Sequence, residues 1–110
     1  MKLRINKRDI KAELCYGIKA VLGFMFSVDF LVNKAKVLVF PKEQKISLHM
    51  FFVFFPLLVL FVSNKRIVEI KVLKPFTFYA SKNKAKYAIE IPLKLVKQRF
   101  AVGDKIKFIS

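Results

Sequence analysis

The chain has 110 residues, of which 55% are hydrophobic, and this excludes a disordered tail protein and predicts one domain, residues 1–110, with a core of its own. Lys and Arg number 22 against 7 Asp and Glu, a net charge of +15 that attracts polyanions. A single Cys, Cys15, excludes an intramolecular disulfide, and with the single His49 it excludes the usual four-ligand Cys/His zinc site.

Residues 2–5 alternate polar and apolar, as do residues 9–14, and strict alternation marks half-buried strands. Ile18, Val21 and Leu22 lie on one face of a short helix that Gly23 could cap. Asn33 and Lys34 make a turn before a strand over 35–40 that ends at Pro41, and residues 42–45 read as a polar loop. Ser63-Asn64-Lys65-Arg66 is a hairpin turn. In the strand that follows, Val68, Ile70 and Val72 alternate with Glu69 and Lys71, and Pro75 closes it. Residues 76–79 extend along an edge, 81–84 form a polar loop, and 86–91 form a strand closed by Pro92. Leu93, Val96 and Phe100 have helical spacing, and Pro92 is placed to start that helix. A turn at 102–104 precedes a last alternating strand over 105–109. The sum is a mainly β fold: a small antiparallel β-sandwich or barrel-like domain with one or two short helices.

Residues 50–62, MFFVFFPLLVLFV, carry no charge. A membrane-crossing helix needs about 20 apolar residues, and Pro56 interrupts this block, so it reads as two buried strands over 46–54 and 57–62. Exposed, the same block is an aggregation hazard. No secretory signal is visible near Met1, because Asp9, Lys11 and Glu13 break any apolar run. The lone Cys suits a reducing compartment, so the expected location is cytoplasmic, with membrane association disfavoured.

The order of the motifs resembles uncharacterised protein family 0127, also called domain of unknown function 192. Gly23-Phe24-Met25-Phe26 is similar to its "GLMFR" signature, and Val37-Leu38-Val39-Phe40-Pro41 to its "MLFVFP" segment. His49-Met50, Pro56-Leu57 and residues 59–62 resemble its central "FWMKNT…PLDVIFVD" element. Residues 66–70 resemble "GRVVEI", residues 87–92 "YVLELP", and residues 102–106 "VGDRV". The match runs from about Leu14 to Phe108. Phe51, Phe52 and Val53 replace the family's polar "KNT", Leu58 replaces its Asp, and Ser27 its Arg. The resemblance implies a small β-sandwich-like domain with one or two short helices and no established activity.

Catalytic and cofactor motifs are missing from the sequence. Gly17, Gly23 and Gly103 have no phosphate-loop spacing, so no cofactor or metal is expected. Cys15 has no flanking nucleophile motif and reads as a small buried hydrophobe, and His49 reads as a packed histidine. Glu69 and Glu90 are expected to face solvent opposite a Lys on a neighbouring strand. The chain therefore reads as a non-enzymatic binding or accessory module. The alternative is sequence-tolerant nucleic-acid binding. Lys82, Lys84 and Lys86, spaced two apart, would track phosphates, while the neighbouring Tyr79 and Tyr87 would stack bases. A Lys-rich surface also fits a heat-adapted protein. The composition leaves room for a homodimer covering an apolar edge.

Overall fold

Two type I′-like turns set the first and the fourth pairings of the computed structural model, which describes residues 1–17, 23–25, 27 and 32–109. Asn6 and Lys7 hold φ of 53° and 66°, and Asn64 and Lys65 hold 51° and 63°. Two consecutive left-handed residues match the right-handed twist of paired strands, and Asn tolerates that region better than most residues. The first turn joins β1 (Lys2–Ile5) to β2 (Arg8–Cys15). The second joins β4 (Leu57–Ser63) to β5 (Arg66–Leu73), as the sequence predicts.

Two 15-residue strands, β3 (Ala35–His49) and β6 (Phe78–Pro92), run antiparallel through the middle. With β7 (Lys107–Ile109) they complete one seven-stranded sheet, ordered β5-β4-β6-β3-β2-β1-β7. Its ends approach one another. Arg66 bridges Lys105, Ile67 N–H donates to Asp104 O at 2.9 Å, and Ile106 N–H donates to Lys65 O at 2.8 Å. This contact gives the sheet its barrel-like form.

Both faces of the central strands are covered, which explains the uncharged run in β4. Leu58, Leu60 and Val62 point into a cluster with Leu3, Ile5, Val37, Ile89, Ile91 and Ile106. Leu57, Val59 and Phe61 point the other way, into a cluster with Phe24, Leu38, Ile46, Met50 and Phe55. Strand alternation thus sorts one continuous apolar run into two cores.

Several expectations need correction. The β2–β3 pair is parallel, so the sheet is mixed rather than wholly antiparallel, and parallel neighbours need a crossover connection. The expected loops at 42–45 and 81–84 lie inside β3 and β6, where the register shifts between Val39/Gln44 and between Lys45/Ser47. These irregularities let both strands bend and let the exposed Pro41 sit within β3. The helix expected over 93–100 shrinks to a 3-10 turn at Leu93–Leu95, because Val96 is already extended at φ −74° and ψ 114°. Leu95, Val96 and Phe100 face one core without helical continuity. The strand expected over 46–54 stops at His49, and the helix expected between Gly17 and Gly23 lies outside the described residues. Among the described residues, no helix is long and apolar enough to cross a membrane.

Candidate functional site: a basic face with an aromatic tip, and a buried carboxyl row

The outward face of the distal β3–β6 pair follows from register. Lys45 stands directly opposite Lys84, Ser47 opposite Ala80, and His49 opposite Phe78. Between them Ile46 and Leu48 point inward and are buried. Like charges directly opposite one another destabilise a strand pair. Lys82 and Lys84 are both exposed. The irregularity between them breaks the simple two-residue alternation assumed from sequence. Lys86 is half-buried and donates to Pro41 O at 3.2 Å.

The two tyrosines of the predicted site are used for packing. The Tyr87 ring meets Phe108 edge-on at 5.2 Å. The Tyr79 ring packs on Phe61 at 6.0 Å with Lys71 Nζ 5.3 Å from its centre, and its hydroxyl donates to Glu69. The exposed rings are elsewhere, at the end of the β3–β6 pair where β3 stops and β6 begins. Phe51, Phe52, Phe54, Phe76 and Phe78 are 48–65% exposed. Phe76 N–H donates to Met50 O at 2.8 Å and Met50 N–H to Thr77 O at 2.7 Å, so the buried Met50 rivets the loops together. Phe76 meets Phe52 edge-on at 6.2 Å and Phe54 at 5.6 Å, and Phe51 stacks on His49 at 5.3 Å. Phe52 and Phe76 hold φ of 57° and 61°. That left-handed conformation costs a non-glycine residue about 1–2 kcal/mol. Sequence reasoning placed residues 50–54 in a buried strand and missed this patch. The Phe51-Phe52 replacement of a polar motif was the available signal.

Sequence reasoning also missed the buried carboxyls. Across the sheet, Glu13, Lys36, Glu90, Val59 and Lys71 are register partners in one row. Glu90 does stand opposite a lysine, as expected, but it is only 4% exposed. The crossover covers it with Gly23 and Phe24. Lys36 Nζ donates to Gly23 O at 2.7 Å and lies 4.8 Å from the Phe24 ring centre. Glu90 Oε1 has no hydrogen-bond partner among the described residues. Burial raises its pKa to about 7, against a smaller opposing pull from Lys36. Glu13 pairs with Lys34 at 3.2 Å beside a pocket of about 230 Å³, which Ser27, Asn33 and Lys36 also line.

Two residues along, in the next row on the same face, lie Cys15, Leu38, Ala88, Phe61 and Glu69. Cys15 is buried, and desolvation pushes its thiol up. It pairs with Leu38, whereas His49 terminates β3 beyond both register irregularities, so the two form no dyad. Glu69 is 8% exposed, not solvent-facing. Burial pushes its pKa up, but donors from Tyr79, Asn83 and Lys82 outweigh that and hold it below the ordinary value. Its Oε1 accepts Lys82 N–H and Asn83 N–H, both at 2.9 Å. Glu69 thus satisfies backbone donors that the irregularity in β6 exposes. Among the described residues, no group of His, Cys, Asp and Glu is arranged to hold a metal.

Comparison with known proteins agrees with this architecture. A solved protein of unknown function from Novosphingobium aromaticivorans superposes with a TM-score of 0.79 at 16% identity, covering 98% of this chain and 84% of its own. A Sinorhizobium meliloti protein, described as a candidate transcription regulator, superposes at 0.85 with 19% identity, covering 96% and 91%. Both likenesses show the fold alone. In sequence, the chain is 39% identical to a UPF0127 protein of Pyrococcus horikoshii over 84% of its length and 82% of that protein. It is 34% identical to one from Pyrococcus furiosus over 96% of each. These relatives come from thermophilic archaea, in keeping with the lysine-rich composition. The model of domain of unknown function 192, an uncharacterised ACR family, matches residues 2–108, and the chain therefore belongs to that family.

Proposed function

We propose that the protein is a non-enzymatic binding module that holds a polyanionic partner on the outward face of the β3–β6 pair. The observation that carries this reading is the Lys45–Lys84 pair, two like charges set directly opposite on an exposed face. Their repulsion is relieved when an anion lies between or above them. Lys82 extends the charge along β6, while Lys86 contributes less because it already serves Pro41 O. The tyrosines expected to stack bases are engaged in packing, so lysine charge dominates the interaction. The reading includes no catalytic step, and a cytoplasmic setting accords with the lone thiol.

Fluorescence anisotropy with labelled random single- and double-stranded oligonucleotides, run from low to high salt beside heparin as a competing polyanion, tests it. Binding should fall steeply with salt, because each neutralised phosphate releases counterions. Lys45→Ala/Lys84→Ala should weaken binding more than Lys86→Ala. A wild-type protein that binds no polyanion, or a double variant that binds as well as wild type, overturns the proposal.

A further inference from the structure

Resting on that reading, we propose that the polyanion is an anionic lipid bilayer, with the phenylalanine tip entering the headgroup boundary while the lysines engage the headgroups. Five exposed phenylalanines lie at the end of the β3–β6 pair that carries Lys45 and Lys84, with Phe78 in register with His49 on that pair. Lys74, also exposed, precedes the loop that bears Phe76. An apolar patch beside clustered lysines is the pairing that holds a protein on an anionic membrane without crossing it.

Three observations favour lipid over other occupants. The Phe52, Phe54 and Phe76 rings interlock edge-to-face, which makes a compact apolar knob and leaves few flat faces for bases. A second copy of this chain would set Lys45 and Lys84 against the same lysines, on a molecule of net charge +15. Phe52 and Phe76 are held in left-handed backbone that keeps about half of each ring exposed, so apolar area stays available to a bilayer.

Cosedimentation with vesicles of phosphatidylcholine, with and without phosphatidylglycerol, tests this on the full chain. Wild type should bind the vesicles containing phosphatidylglycerol at least about tenfold more tightly than phosphatidylcholine alone. Phe52→Asn/Phe76→Asn should stay folded, as a cooperative thermal melt checks, and keep salt-sensitive heparin binding, yet lose vesicle binding by about tenfold or more. Lys45→Ala/Lys84→Ala should lose both. Because the chain has no Trp, Phe54→Trp supplies a single reporter whose emission should shift to the blue on vesicles containing phosphatidylglycerol. Wild type that binds heparin but no vesicle overturns the lipid assignment and leaves the polyanion reading standing. So does a phenylalanine double variant that binds vesicles as wild type does, or a Trp emission that does not move. Wild type that binds neither heparin nor vesicles overturns both.

Discussion

Replacing Glu90 by Gln should make the protein more stable at pH 8 and remove most of a pH-dependent loss of stability. Glu90 is only 4% exposed, and burial raises its pKa from an ordinary 4.5 to about 7. Below about pH 4.5 the carboxyl is neutral in both folded and unfolded chains, and its contribution is fully present. Between 4.5 and 7 the unfolded chain releases the proton and the folded chain keeps it, so stability falls as pH rises. Above 7 the fold carries a buried carboxylate whose Oε1 has no hydrogen-bond partner among the described residues. At 1.36 kcal/mol per pKa unit, the loss is on the order of 3 kcal/mol. Gln keeps the shape and cannot ionise. The two proteins should therefore differ little at pH 4, while the variant should be more stable at pH 8 by up to about 3 kcal/mol, or roughly 10 °C or more in Tm. Denaturant unfolding of both proteins at a series of pH values measures this. The depressed carboxyls of Asp9, Glu13 and Glu69 titrate in both proteins and cancel in the difference. A difference independent of pH, or a variant less stable at pH 8, would mean that Glu90 is ionised in the fold and held by Lys36, and would refute the reasoning.

Two further outcomes test the surroundings of the buried carboxyls. Gly23→Ala should cost more than the roughly 1–2 kcal/mol of its left-handed backbone alone, because φ is +51° and the added Cβ would lie 2.6 Å from Glu90 Oε1. In urea unfolding, Gly23→Ala/Glu90→Ala should lose less than the sum of the single losses, and strict additivity would show that the two residues do not meet. Glu69→Ala should cost about 1–3 kcal/mol by stranding the Lys82 and Asn83 amides. It should also bring the Tyr79 phenol down from about 12 toward 10, since the Glu69 hydrogen bond is the main cause of its elevation. Ultraviolet absorbance titration reads that shift, and an unmoved phenol would remove Glu69 as its partner.

Features that depend on a few adjacent residues could be read from the chain. Asn64-Lys65 made a turn because Asn tolerates left-handed backbone, and Leu57 to Val62 made a strand because nothing charged interrupts it. The alternation in residues 2–5 showed which side chains face inward, whereas in residues 66–73 Ile67, Glu69 and Leu73 are the buried residues and Val72 is exposed. The family resemblance, too, followed from motif order alone. Tertiary structure decided what depends on distant partners. Glu69 and Glu90 alternate with apolar neighbours as solvent-facing residues do. They are buried because both faces of the central sheet are covered: Glu90 lies beneath the crossover at Gly23 and Phe24, and Glu69 lies against Tyr79 and the irregular segment of β6. Phe51, Phe52 and Phe54 of the apolar block are exposed for the opposite reason: β3 ends at His49, and the following loop carries these rings past the edge of the core while Met50, Val53 and Phe55 stay within it. Hydrophobicity gave each residue a preference for burial. Which residues obtained it was settled by the parallel β2–β3 crossover, the bends in β3 and β6, and the contact between the sheet's two ends.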